Sequence, residues 1–156
     1  MDFRKRVLFL CNGSADRCLM AAAFLRHFAT DAFDVYSATF QPDEANPLTI
    51  QVMNEIRIDI SAQPVNSVEK YLGKLFIHYL ITLSPEARKN CPAPWPGVEN
   101  RLHWSFDDPA AYPGSDEQKL EKFRAVRNQI ESMIRQWLAE QDVERRSIAL
   151  LNHITG

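Results

Sequence analysis

Two residues near the N-terminus are placed to do nucleophilic chemistry together. Cys11 closes the short apolar run Val7-Leu8-Phe9-Leu10, and Arg17 stands six positions later, a Cys-x5-Arg spacing across the polar stretch Asn12 to Arg17. A thiol facing a helix N-terminus and a guanidinium has its pKa lowered and becomes a nucleophile at neutral pH. The amides of Asn12, Gly13, Ser14, Ala15, Asp16 and Arg17 can curl into a nest for a tetrahedral oxyanion, with the guanidinium clamping two of its oxygens. The plainer alternative is a packing cysteine and a surface arginine beside a helix start. The chain holds three cysteines, Cys11, Cys18 and Cys91. An odd count does not build a disulfide scaffold, which leaves packing or thiol chemistry for each. His27, His78, His103 and His153 show no ligand spacing, so no metal site is expected.

The elements that must position these residues follow from hydrophobic pattern. Val7–Leu10 suits a strand buried on both faces. Leu19 to Ala29 reads as helix, with Met20, Phe24 and Phe28 at fourfold spacing. Phe33 to Thr39 reads as a second strand. Asn46-Pro47 starts a helix that runs to Ile56, because proline is pre-set for the first helical position. Asn66 or Ser67 caps a short helix through Leu72, and Leu75 to Leu83 is a third strand. Six of the nine prolines fall between Pro85 and Pro113. That density predicts ordered loop around one short strand near Arg101–Trp104. Ser115 and Gln118 form a capping box for the last helix, whose apolar stripe is Phe123, Val126, Ile130, Met133 and Trp137. Glu140 to Gly156 reads either as its continuation or as a loose tail. Strands alternating with helices imply one α/β domain over residues 1–156, with a core of about 5–138 and a parallel sheet covered on both faces.

Composition narrows the partners. Of 156 residues, 46% are hydrophobic and 24% charged, and Lys+Arg 18 against Asp+Glu 20 gives a net charge of −2. A mildly acidic chain is a poor binder of nucleic-acid phosphates. Its most apolar stretch is too short to span a membrane. The N-terminal Met-Asp-Phe-Arg-Lys-Arg leads into only four apolar residues, too few for a signal-peptide core, so the cytoplasm is the expected compartment.

The run Val7-Leu8-Phe9-Leu10-Cys11-x5-Arg17 resembles the phosphate-binding loop of low-molecular-weight protein tyrosine phosphatases and the arsenate reductases that share their fold. The likeness continues through Asn46-Pro47-Leu48, Val52-Met53-Asn54-Glu55-Ile56 and Ile58-Asp59-Ile60-Ser61. It also takes in Leu83-Ser84-x6-Cys91-Pro92 and His103-Trp104-Ser105-Phe106-Asp107-Asp108-Pro109-Ala110, and covers roughly residues 5 to 138. The last stretch favours the thioredoxin-coupled arsenate-reductase branch. The resemblance implies a three-layer fold, a four-stranded parallel sheet flanked by helices. It also implies that Cys11 attacks phosphorus or arsenic, Arg17 holds the equatorial oxygens, and Asp108 protonates the leaving oxygen, with Asp107 as the competing acid. His103 and Trp104 are expected to pack or hydrogen-bond behind that loop.

Four departures from the family pattern bear on function. The arsenate-reductase loop typically reads Cys-Thr-Gly-Asn-Ser-Cys-Arg-Ser, and here it reads Cys11-Asn12-Gly13-Ser14-Ala15-Asp16-Arg17-Cys18. Ser14 replaces an asparagine that braces the loop. Cys18 replaces a serine whose hydroxyl supports the thiolate, and a thiol is a weaker donor; facing the core as a small hydrophobe is its alternative role. Asp16 brings a carboxylate into an anion-binding loop. At about 5 Å from the thiolate and an effective dielectric of ~20, repulsion would be about 3 kcal/mol, or about 2 pKa units, unless Asp16 points outward or pairs with a basic residue. Ser84 stands where the family's second relay thiol stands, so Cys91, a possible redox thiol, has no relay partner.

These features define three functional expectations. The first is an arsenate reductase-like enzyme with no bound cofactor, finished by an external thiol such as glutathione, mycothiol or a glutaredoxin. The second is a phosphatase for phosphotyrosine or a small phosphoester. The third is an impaired relative that binds arsenate, phosphate or sulfate as a regulatory module.

Overall fold

The computed structural model describes residues 4–155, with the backbone alone for 143–149 and 155. Residues 1–3, the start of the charged N-terminal stretch, and residue 156 lie outside the described residues. The elements in chain order are β1 (Lys5–Cys11), α1 (Asp16–Ala29), β2 (Phe33–Thr39), α2 (Pro47–Asn54), β3 (Ile77–Thr82), α3 (Pro85–Asn90), β4 (Val98–His103) and α4 (Asp116–Thr155). Single 3-10 turns lie at Val68–Lys70 and Pro109–Ala111. The four strands form one parallel sheet in the order β2-β1-β3-β4.

Central β1 is buried on both faces, which is why it reads as a continuous apolar run. Val7, Phe9 and Cys11 face the larger core, built with α1, α2 and α4. Leu8 and Leu10 face a smaller one with Val68, Tyr71, Leu80 and Trp95. The two cores make the three layers.

Local chemistry sets the helix starts. Asn46 accepts a hydrogen bond from Leu48 N at 2.9 Å, with Pro47 in the first turn. Ser67, not Asn66, caps the 3-10 turn through Glu69 N. Ser115 and Gln118 exchange the two bonds of the capping box at 2.8 and 3.2 Å.

The structure departs from the sequence reading in three places and decides a fourth between its two alternatives. Helix α1 begins at Asp16 rather than Leu19, so Arg17 and Cys18 lie in its first turn. The proline-rich stretch is not all loop before β4: Ser84 caps α3 and Pro85 occupies its first turn, where proline favours a helix. On α4 the fully buried position is Ile134, while Met133 packs at the flank; spacings of 4 and 3 from Ile130 keep the stripe on one side of a 3.6-residue turn. Helix α4 then continues unbroken to Thr155 rather than ending in a loose tail. Among the described residues no helix is long and apolar enough to cross a membrane.

Helix α4 is fastened to α2 by a buried cation. Arg127 is nine-tenths buried and donates to Val52 O and Glu55 Oε1, each at 2.8 Å. Glu55 also receives Arg124, at 2.6 Å for Nη2. The hydrogen bond from Arg124 holds the Glu55 carboxyl below its ordinary range; burial opposes it less strongly, and Arg127 adds to the lowering. Glu55→Gln is therefore expected to lower the unfolding free energy by about 1–2 kcal/mol near neutral pH, solvent screening part of the pairing. A depressed carboxyl stabilises the fold above its unfolded pKa of about 4.3, and that contribution is lost as pH falls through the lower folded value. Urea unfolding of both proteins from neutral to acid pH checks it; the difference should close at the acid end.

Candidate active site at the end of the first strand

The loop after β1 is built by backbone constraints. Gly13 takes φ +82°, a left-handed conformation that a side chain would strain. Ala15, the N-cap residue of α1, makes no side-chain cap bond. The first-turn amides therefore look for an acceptor other than their own cap. Cys11 lies at the base of this loop, fully buried on the α1 side of the sheet.

Arg17 is 3% exposed, and its guanidinium spans the loop. Nη1 donates to Phe106 O at 2.9 Å and Nη2 to Asn12 O at 3.0 Å, while Nε is buried without a partner. Asp108 Oδ2 lies 4.0 Å from Nη2. Its Oδ1 accepts from Ala110 N at 3.0 Å and from the Ser14 hydroxyl at 3.2 Å. Asp107 turns away to Lys122 at 2.8 Å, which holds its carboxyl below the usual range. Of the two adjacent carboxylates, Asp108 is thus the one brought to the loop. A cavity of about 440 Å³ opens here, lined by Asn12, Gly13, Arg17, Phe106 and Asp108 among others. A larger hollow of about 600 Å³, between Pro42 and Val65, is lined by neither a thiol nor a guanidinium.

The departures from the family loop have definite places. Ser14 braces the acid-bearing segment rather than the loop from within. Asp16 neither points outward nor pairs with a base: it is 1% exposed, and Oδ1 accepts from Asn46 N at 2.9 Å, fixing the entry to α2. Its Oδ2 is buried without a partner. Cys18 faces the core but is not an inert filler. Its Sγ donates to Ala15 O at 3.1 Å, and contact with Cys11, then burial and the Asp16 charge, push its pKa well up despite Arg17.

The remaining thiol position and its missing partner are separated in role. Ser84 is fully buried and accepts from Ala87 N at 3.1 Å as the cap of α3. Cys91, at the other end of α3, is half-buried rather than exposed in a loop. Burial pushes its thiol up, against the pull of Arg101, whose Nη1 lies 3.7 Å from Sγ. His103 Nδ1 meets Thr82 Oγ1 at 2.7 Å, and Trp104 packs between Phe9 and Trp137. Two contacts had no signal in the sequence: the Phe106 carbonyl under Arg17, because backbone acceptors carry no residue code, and Asn90 Nδ2 to Asn12 Oδ1 at 3.2 Å, a pairing across 78 positions.

The family model described as low molecular weight phosphotyrosine protein phosphatase matches residues 6–147. The chain belongs to that family. Within it, the arsenate reductase of Halalkalibacterium halodurans is 38% identical over 132 residues, covering 85% of this chain and 94% of that protein. The arsenate reductase of Shouchella clausii is 35% identical over 134 residues, covering 86% and 95%. A solved arsenate reductase in the phosphate-binding state superposes with a TM-score of 0.72 at 28% identity, over 87% of this chain and 98% of that one. The low molecular weight protein tyrosine phosphatase of T. tengcongensis shares the fold, with a TM-score of 0.70 at 18% identity over 87% and 99%.

The Cys11–Cys18 contact makes one outcome measurable. Cys18→Ser exchanges the weak thiol donor beside Cys11 for a hydroxyl, and a difference of ~1 kcal/mol in that bond is a roughly fivefold change in the Cys11 alkylation rate. Iodoacetamide kinetics against pH, with peptide mapping, check this; an unchanged rate would mean that position 18 does not touch the reactivity of Cys11.

Proposed function

We propose that this protein is an arsenate reductase-like enzyme in which Cys11 attacks a tetrahedral oxyanion and an external thiol completes the reduction. The observation that carries the reading is the approach of Asp108 to Arg17 over the loop that follows Cys11, in a chain whose relatives named arsenate reductase are 35–38% identical to it. The unpartnered Nε of Arg17 adds to it, since a buried donor left alone costs about 1–3 kcal/mol and an anion oxygen satisfies it.

In the proposed sequence the Cys11 thiolate attacks arsenic, and Asp108 protonates the oxygen that departs as water. Arg17 and the loop amides balance the charge on the remaining oxygens. A small thiolate then attacks the Cys11 sulfur, and arsenite leaves with the sulfur–arsenic electron pair. A second thiol frees Cys11 and departs as the mixed partner's disulfide. External thiol enters because Ser84 has no sulfur and is committed to capping α3. Glutathione, mycothiol and a glutaredoxin all fit this requirement.

A phosphatase reading is the second candidate, favoured by the same three residues, which suffice for a phosphocysteine and its hydrolysis. The buried Asp16 and the Cys18 thiol favour a third, an impaired oxyanion-binding relative.

The three separate experimentally. Arsenate consumption should depend on added glutathione or glutaredoxin and vanish in Cys11→Ser. Asp108→Ala should lower turnover about 10²–10⁴-fold. Steady aryl phosphate hydrolysis without thiol-dependent arsenate turnover would replace the reductase reading with the phosphatase one. Absence of both, with hydrolysis appearing in Asp16→Ser, would identify the impaired relative.

A further inference from the structure

A second cavity, of about 380 Å³, lies on the sheet face opposite Cys11 and shares no lining residue with the cavity at the loop. Its walls include Leu80 and Thr82 of β3, Arg101 and His103 of β4, and Arg88 and Cys91 at the C-terminal end of α3. Leu10 and Leu8 are the β1 neighbours of Thr82 and Leu80 and point to the smaller core, which puts this cavity across the sheet from Phe9 and Cys11.

The chemistry of these walls is specific. Arg101 is oriented by two acceptors, Cys91 Sγ at 3.7 Å and Ala93 O at 2.7 Å. Arg88 shares this lining with His103, whose pKa is lowered first by burial and then by the Arg88 charge. Among the described residues neither arginine forms an ion pair, so two exposed guanidiniums line the cavity beside a half-buried thiol. Guanidinium forks match carboxylates, and a thiol matches a disulfide sulfur. The volume falls within the range of sites for small organic ligands. A bare inorganic oxyanion would use the arginines but leave the thiol without a partner.

We propose that this cavity is a binding site for a small carboxylate-bearing thiol, which it holds as a mixed disulfide with Cys91. The exchange is balanced. The Cys91 thiolate attacks one sulfur of the small thiol's own disulfide, forming a new S–S bond at Cys91. The original S–S bond breaks, and its electron pair leaves on the second sulfur, which takes up the proton that Cys91 released. The site does not depend on any reaction at Cys11.

The test uses the reduced, full-length protein and two disulfides of opposite charge, glutathione disulfide and cystamine. Rates of Cys91 modification are read by peptide mass mapping, and their ratio cancels the intrinsic reactivity of the thiol. Glutathione disulfide should react roughly tenfold faster at low ionic strength, with the preference shrinking as salt rises. Arg88→Ala/Arg101→Ala should bring the ratio close to one, while Arg88→Lys/Arg101→Lys, which keeps both charges, should retain most of the preference. The proposal is overturned by a ratio near one in the unmodified protein, by a ratio the alanine pair does not move, by modification at Cys11 or Cys18 in place of Cys91, or by no adduct. Because the readout is an adduct at Cys91, failure of arsenate or phosphate chemistry leaves it intact.

Discussion

A single guanidinium holds the functional end of this molecule together. Arg17 bonds one carbonyl within its own loop and another 89 residues away, on the segment that carries Asp108. Both loops leave the same end of the sheet, but nothing in the strands themselves sets the distance between them. Their separation is set by one buried side chain donating to two backbone oxygens, together with the Ser14 hydroxyl on Asp108. Charge-assisted bonds of this kind are the stronger sort, and burial of Arg17 removes the water that would compete for them. The loop after Cys11 and the segment bearing Asp108 are therefore tied to each other through Arg17.

What the sequence could show, and what it could not, divides along physical lines. The strands and the capped helices were readable because each rests on local rules: burial period, proline at a first turn, a serine with a glutamine three residues on. Helix α3 was hidden by its own proline, since proline marks loops in general and helix starts in particular. The start of α1 was misplaced because polar Asp16, Arg17 and Cys18 look like loop residues, although all three are buried. At the site, Cys11 and Arg17 stood out by spacing. The choice between Asp107 and Asp108 required the position of Lys122, fourteen or more residues away in sequence and visible only once α4 is packed.

The loop substitutions form a connected set rather than a scatter of losses. Asp16 couples the anion loop to the entry of α2 through Asn46, while its charge bears on Cys18. Cys18 in turn touches Cys11, where a hydroxyl would be a better donor. Around this thiol the Asp16 carboxylate stands on one side of the charge balance, and Arg17 with the uncapped helix start on the other. The balance among these short-range charges, more than the fold, decides how reactive the loop is.

Ser84 shows how a residue can become hard to exchange. As the buried cap of α3 it satisfies an amide that would otherwise have no partner, a contribution of about 1 kcal/mol at such positions. A cysteine there would supply a sulfur and surrender the cap, loosening α3. An internal thiol relay through this position would therefore pass through a less stable protein and would need a second change to compensate.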